Sequence, residues 1–258
     1  HKATHHFDLV NWWLKATPEL VFALGSLSFY GKHNATKRGL TSTYERSSQD
    51  PNASRDPFAL SLEGDPVLRA LYLSAEHEDG YIRDKNVFTE GITVEDTMSV
   101  LVRYDTGALL TYSLNAYSPW EGYRVAFTGT KGRLELTVVE RPFVLHENGT
   151  LVDPSYNAAE IIAPNLVLQQ HWQRPVSIPI EEGHGGHGGG DDKLLKDLFE
   201  GVSHDPLGRS ASHLDGAKSI LIGIAANEAF ETGQPVKIKD LINLEDWTNS
   251  RDAAFAHQ

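Results

Sequence analysis

The sequence predicts an α+β fold: a large, mainly antiparallel open sheet with helices on one face. Two turn signals carry this prediction, because each joins a pair of β-rich segments closely enough to form a hairpin. These are residues 93–104 and 109–117 around Asp105-Thr-Gly107, and residues 123–128 and 133–140 around Gly129-Thr-Lys-Gly132. Helical patterns near both chain ends supply the layer that covers the sheet.

The first elements follow from local spacing. Phe7, Val10 and Leu14 recur at helical intervals, so we predict a helix over residues 5–15. A strand over residues 21–30 follows. The remaining predictions, in chain order, are loop-like residues 32–66, a short helix over 65–74, short strands within an irregular stretch over 142–180, helices over 192–199 and 210–232, and a last short strand over 236–238.

The composition is that of a globular protein: 258 residues with 40% hydrophobic and 22% charged residues, enough for one large domain or two small ones. A net charge of −12 argues against nucleic acid and against an anionic membrane surface as partners. Because the chain has no cysteine, disulfides and thiolate metal sites are excluded, and a cytoplasmic location is expected. The sequence contains no apolar run long enough to cross a bilayer.

Three histidines and a lysine lie within the first six residues. On a helix, His1, His5 and Asp8 would share one face. A carboxylate one turn from an imidazole orients it and increases its basicity, as a general base for an alcohol proton requires. Two other interpretations stay open, a helix with solvated histidines and a zinc site at His1 and His5, although Lys2 stands where metalloproteases have glutamate.

A glycine-rich run separates the middle of the chain from a helix. His184 and His187 lie among the glycines, and Asp191 follows at the predicted helix start. Such a run is either a mobile loop or a backbone that approaches a ligand closely. The run does not follow a strand of a βαβ unit, so it predicts no nucleotide site.

An aromatic turn joins the two predicted hairpins and contains Tyr117, Trp120 and Arg124. Aromatic rings with polar tips suit sugar rings, which have apolar faces and hydroxyl edges. Ordinary packing at the strand ends is the alternative.

The order of several motifs resembles the C-terminal domain of the Gfo/Idh/MocA oxidoreductases, the glucose–fructose oxidoreductase and inositol dehydrogenase family. The segment His5-His-Phe-Asp8-Leu is similar to the family motif Asp-x-Gly-x-His-x-x-Asp-Leu, with His1 and Ala3 departing from it. Later segments agree in order: the hairpin at 94–108, the hairpin at 127–135, His187-Gly-Gly-Gly-Asp191, 205–209 and 215–227.

The resemblance implies a single substrate-binding and dimerisation domain over residues 1–258, whose parent is an NAD(P)-dependent sugar or polyol dehydrogenase. The N-terminal Rossmann domain that binds NAD or NADP, and the Glu-Lys-Pro motif, are absent from this sequence, so we expect a fragment with no cofactor of its own. The expected partners are that Rossmann domain, a small sugar or polyol, and a second copy in a homodimer or higher homo-oligomer.

The resemblance assigns His5 as the general acid/base and Asp8 as its orienting carboxylate. We expect His1 and Lys2, which the family motif does not assign, to help hold the substrate as part of the catalytic group. Substrate contacts are expected from His184, His187, Asp191, Tyr117, Trp120 and Arg124. Two alternatives stay open: an NAD-assisted glycoside hydrolase of the same fold, and a non-catalytic dimerisation module.

Overall fold

The computed structural model describes residues 3–40, 44–143, 146–147, 150–151, 164–180, 183, 186–202 and 205–244. The helices within these ranges are α1 (Ala3–Leu14), α2 (Lys32–Lys37), α3 (Pro66–Leu68), α4 (Glu76–Asp79), α5 (Gly190–Phe199), α6 (His213–Thr232) and α7 (Ile238–Leu241). The strands are β1 (Pro18–Ser26), β2 (Thr97–Tyr104), β3 (Leu109–Asn115), β4 (Glu121–Gly129), β5 (Gly132–Arg141), β6 (His146–Glu147), β7 (Thr150–Leu151), β8 (Asn165–Gln170), β9 (Val176–Ile178) and β10 (Val236–Lys237).

The α+β class with antiparallel strands is confirmed. The strands form two four-stranded sheets, ordered β10-β1-β2-β3 and β4-β5-β8-β9, and a short β6–β7 hairpin. The chain divides into two compact units, the first formed by His1–Ser26, Glu95–Ala116 and Gly183–Gln258, the second by Leu27–Val94 and Tyr117–Glu182. Each predicted hairpin lies within one sheet, because its turn is short enough to pair neighbouring strands directly.

The first unit has its core between the sheet and two helices. Val100 and Val102 of β2 are almost fully buried, whereas Leu101 between them is half exposed, so one face of the sheet points inward. Ile222 and Ala225 of α6 are fully buried on that face. The helices α1 and α6 therefore cover one side of this sheet, as the sequence predicts.

The structure differs from the sequence prediction at a strand boundary and at the packing face of a helix. The strand β1 runs from Pro18 to Ser26, earlier than the predicted 21–30, because proline is compatible with the first residue of a strand. In α6, Ile220 and Ile224 are half exposed although they are large and apolar. This helix is apolar around much of its circumference, so its spacing alone does not select the face that packs.

The second unit holds the sheet β4-β5-β8-β9 and the segment 27–94. That segment contains α2 and two 3-10 turns where the sequence predicts loop, whereas the predicted helix over 65–74 is present as α3 followed by a π-helical turn over Arg69–Leu73. Arg46 is held between Glu76 and the fully buried Asp84, with its Nε 2.9 Å from Asp84 Oδ1. No described helix combines the length and apolar character needed to span a membrane.

Candidate active site

The helix α1 directs different residues to two faces. Phe7 and Val10 enter the core of the first unit, while Asp8 and Trp12 lie on the other side and line a cavity. His5, exposed and three residues before Asp8, is close enough for its charge to lower the pKa of the Asp8 carboxyl. The helical spacing therefore brings the predicted acid/base pair, His5 and Asp8, together on one face.

The cavity beside Asp8 has a volume of about 550 Å³. Its wall combines carboxylates, cationic side chains, one indole ring and short backbone-rich segments, a mixture that suits a polar small molecule with an apolar face. The lining residues are Asp8, Leu9, Asn11, Trp12, Lys15, Ala16, Leu207, Gly208, Arg209, Ala211, Asp215 and Lys218.

The loop before α6 closes one side of this cavity through specific hydrogen bonds. Trp12 Nε1 donates to the carbonyl oxygen of Leu207 at 2.9 Å. Asp205 Oδ2 accepts from the Ser210 backbone N–H at 2.8 Å, and Asp205 Oδ1 lies 3.4 Å from Arg209 Nε. The Trp12 bond holds the loop against α1, and the Asp205 contacts fix the conformation of the loop itself, so the wall does not depend on apolar packing alone.

Two carboxyl groups in the cavity have opposite electrostatic environments. Burial, followed by the charge of Asp215, raises the pKa of Asp8, and the charge of His5 lowers it only in part. Burial alone would also raise the pKa of Asp215, but hydrogen bonds from the Ser212 backbone N–H and hydroxyl lower it overall. Asp8 therefore accepts a proton more readily than Asp215 does, and Asp215 remains ionised.

The inner side of α1 is fixed by two further polar contacts. Tyr104 Oη donates to Asn11 Oδ1 at 2.9 Å, and both residues are buried. His6 Nδ1 lies 2.9 Å from Tyr112 Oη, and burial raises the pKa of Tyr112 to about 12, so the phenol keeps its proton. Of the adjacent histidines, His6 contacts the sheet and only His5 is exposed.

The glycine-rich run places His187 next to Asp191. His187 Nδ1 lies 2.8 Å from Asp191 Oδ1, and both side chains are largely exposed. His187 has a φ of 48°, a left-handed conformation that is strained for a residue with a side chain. Neither residue lines the Asp8 cavity.

Three predicted site residues, His1, Lys2 and His184, lie outside the described residues. The zinc site considered at His1 and His5 includes His1, so it also lies partly outside the described residues. Among the residues that are described, no group of three or more histidine and acidic side chains is arranged to hold a metal ion.

The aromatic turn lies in the second unit. Tyr117 stacks on Phe29 with ring centroids 4.5 Å apart and an interplanar angle of 9°. The Arg124 guanidinium lies 5.5 Å from the centre of the Trp120 ring, so these two form a cation–π pair. One face of the Tyr117 ring therefore serves packing within this unit.

The cavity contains residues that the sequence prediction did not select. Asp215 and the loop over 205–211 are the main ones. A local signal was available: Ser212 and Asp215 form a capping box at the start of α6, with each side chain bonded to the backbone of the other residue. The capping box identifies the helix start, but only the packing of α6 against α1 brings its carboxylate near Asp8.

Residues 1–238 match the family described as "Oxidoreductase family, C-terminal alpha/beta domain", the C-terminal domain of the Gfo/Idh/MocA proteins. The chain belongs to this family. The match covers both hairpins, α1 and α6, so the order of motifs noted in the sequence reflects shared ancestry along most of the chain.

A curated relative supports the same assignment. The chain is 33% identical over 267 residues to the Bacillus subtilis (strain 168) protein named "Putative oxidoreductase YteT", covering 95% of this chain and 56% of that protein. The chain thus spans about half the length of this relative.

A solved structure shows the same fold, and a second one aligns over a similar range. A "putative nadph-dependent oxidoreductase" from Desulfitobacterium hafniense DCB-2 aligns over 93% of this chain and 47% of its own, with a TM-score of 0.50 and 12% identity. An aldose-aldose oxidoreductase from Caulobacter crescentus aligns over 91% of this chain and 45% of its own, with a TM-score of 0.47 and 14% identity.

Proposed function

We propose that this chain is the substrate-binding half of a nicotinamide-dependent oxidoreductase that acts on a sugar, cyclitol or related polyol in the cytoplasm. The observation that carries the proposal is the pairing of His5 and Asp8 on one face of α1, where Asp8 lines a cavity of about 550 Å³. His5 is exposed and is not one of the lining residues. Membership of the oxidoreductase family supports the reaction class.

The proposed chemistry of these residues is proton transfer. The exposed imidazole of His5 accepts the proton of the substrate hydroxyl, and the negative charge of Asp8 stabilises the imidazolium that results. Burial and Asp215 raise the pKa of Asp8, so this carboxylate is more basic than a solvated one and interacts strongly with a neighbouring cation. Trp12 offers an apolar surface against which a sugar ring can stack.

The described residues do not fit a nicotinamide site of their own. Every strand pairing among them is antiparallel, so they build no βαβ unit of the kind that holds a dinucleotide. We assign NAD or NADP to the Rossmann domain that the family resemblance implies. The remaining substrate contacts stay predictions: His1, Lys2, His184, His187, Asp191, Tyr117, Trp120 and Arg124.

The test replaces His5 in the full-length parent protein. With a panel of sugars and polyols, His5→Ala is expected to lower kcat by about 100-fold or more, since a positioned acid/base contributes rate factors of that order. His5→Asn should behave similarly and should remove one ionisation from the pH–rate profile. The matched control is His33→Ala, which removes an exposed histidine from the second unit.

Two outcomes would contradict the assignment. Turnover of His5→Ala within a few-fold of the unsubstituted enzyme would remove His5 from the chemistry. Cleavage of a chromogenic glycoside without net reduced cofactor would instead support the NAD-assisted glycoside hydrolase.

A second copy of the chain is the partner that we propose for the sheet β4-β5-β8-β9. Its strand register places a continuous group of large apolar side chains on one face, with Gln170 at the end of β8, and each of them is at least partly exposed. No described helix packs closely on this sheet. The centre of the face carries no charge, so two copies related by a two-fold axis can pair through it without repulsion. At its edge, burial and the charge of Glu140 raise the pKa of Tyr123. Its members are Tyr123, Val125, Phe127, Leu134, Leu136, Val138, Leu166, Leu168, Val176 and Ile178.

A further inference from the structure

The first unit contains a second and larger cavity, a cleft of about 880 Å³. It is bounded by the start of β1, the β2–β3 turn, the first turns of α6 and the segment from β10 to Leu244. Neither His5 nor Asp8 lines this cleft. The polyol site proposed above therefore does not account for it.

The charge in the cleft is opposite to that of the whole chain. Four cationic side chains line it against two acidic ones, Glu19 and Asp105, although the chain as a whole carries a net charge of −12. The cationic residues are Arg103, Lys218, Lys237 and Lys239.

The two acidic side chains already have partners. Asp105 Oδ1 accepts from the Thr17 backbone N–H at 3.0 Å, and Glu19 lies 3.7 Å from Arg103. Among the described residues, no carboxylate lies within ion-pair distance of Lys237 or Lys239. The positive charge of the cleft is therefore only partly neutralised by the protein.

The strand register sets the spacing of two of the cations. Leu20 of β1 lies opposite Lys237 on one side and opposite Arg103 on the other. Residues directly opposite each other share a face, so the Cα atoms of Lys237 and Arg103 lie on either side of Leu20, about 10 Å apart, two inter-strand spacings. The two cations come from separate strands, so a ligand that pairs with both needs more than one anionic group.

The floor of the cleft is apolar. Leu214, Ile242 and Leu244 line it and are each partly exposed, and Ile238 is buried beneath. A fully hydrated inorganic ion would leave this surface in contact with water. The combination of cationic side chains and an apolar floor favours an organic ligand with a carbon framework.

We propose that this cleft binds a small organic molecule that carries at least two anionic groups, carboxylate or phosphate. The lysine ammonium groups would form charge-assisted hydrogen bonds to its oxygens, and its carbon framework would cover the apolar floor. Lys218 also lines the Asp8 cavity, so a bound anion would lie one side chain away from the proposed polyol site.

The test measures binding to this chain by isothermal titration calorimetry at an ionic strength of about 20 mM, where screening is weak. Citrate tests whether the cleft binds carboxylates, and glucose 6-phosphate tests whether it binds phosphates. Glucose is the uncharged reference. We expect at least one of the two anions to bind, with glucose much weaker. The double variant Lys237→Gln/Lys239→Gln should bind that anion about tenfold more weakly, because two of the cations are removed.

Two further variants exclude a structural explanation. Lys193→Gln/Lys196→Gln removes the same charge from exposed positions on α5 and should change the affinity by less than about twofold. Glu19→Gln removes a competing carboxylate and should tighten binding by about threefold, which a folding defect would not do. Absence of binding by both anions, or equal weakening in the two lysine variants, would overturn the proposal. Either result leaves the His5 assignment unaffected, because no catalytic step is measured.

Discussion

At the scale of single residues, Asp8 is kept in an environment that disfavours its charge. Burial and the nearby Asp215 raise its pKa, although the charge of His5 opposes them. A fold under selection for stability alone would place a neutral side chain here. A carboxylate beside the His5 imidazole is what the acid/base pair proposed above requires.

The raised pKa of Asp8 predicts that the effect of Asp8→Asn on stability depends on pH. Because the native pKa of Asp8 lies above its ordinary value, ionisation weakens the native state as the pH rises through that pKa. The variant should therefore unfold at a higher temperature than the unsubstituted chain at pH 7, and the difference should shrink toward pH 3. Thermal unfolding across this range measures it, with Asp192→Asn on exposed α5 as the control. A variant that is less stable at pH 7 would show that the Asp8 charge is stabilising.

At the scale of elements, hairpins were predictable and strand boundaries were less so. The turns Asp105-Thr-Gly107 and Gly129-Thr-Lys-Gly132 determine their own pairings, because they are short and the conformations they need are local. The start of β1 at Pro18 and the packing face of α6 depend on neighbours that are distant in the sequence. Local spacing contains no information about those neighbours.

Gly132 ends the turn between β4 and β5, and it also determines how β5 pairs with β8. Its φ is 144°, and a Cβ there would lie 2.2 Å from the carbonyl oxygen of Gln169 on β8. Because this neighbour is backbone, Gly132→Ala should disrupt the β5–β8 pairing and destabilise the chain by about 2 kcal/mol or more.

Gly129→Ala is the matched control for this prediction. A Cβ at Gly129 would meet nothing within 4 Å, and the residue belongs to the same turn. Urea unfolding of both variants tests the difference. Equal destabilisation by the two substitutions would show that general loss of turn flexibility, rather than the approach to Gln169, is responsible.

At the scale of the whole molecule, the apolar face of the second sheet needs a covering surface. Val125 lies opposite Leu136, which lies opposite Leu166, so large side chains continue across three strands. A contiguous apolar patch of this kind typically marks an interface between proteins. We expect it to hold two copies together.

Leu136→Lys tests that expectation. A lysine in the centre of the face should shift the chain from dimer to monomer, because the charge would be buried against apolar side chains of the other copy. Light scattering coupled to gel filtration measures the mass. Thr137→Lys places the same charge on the opposite face of the same strand and should leave the mass unchanged. A monomeric unsubstituted chain would contradict the prediction.

The sequence by itself determined the α+β class, both hairpins, the helix that carries His5 and Asp8, and the family, since each depends on neighbouring residues or on the order of motifs. Only the tertiary structure decided that Asp215 lies near Asp8, that Trp12 holds the loop at Leu207, and that Lys218, Lys237 and Arg103 line one cleft. The physical reason is distance along the chain. These groups are brought together by the packing of α6 against α1 and β1, and the free energy of that packing comes from the buried core as a whole.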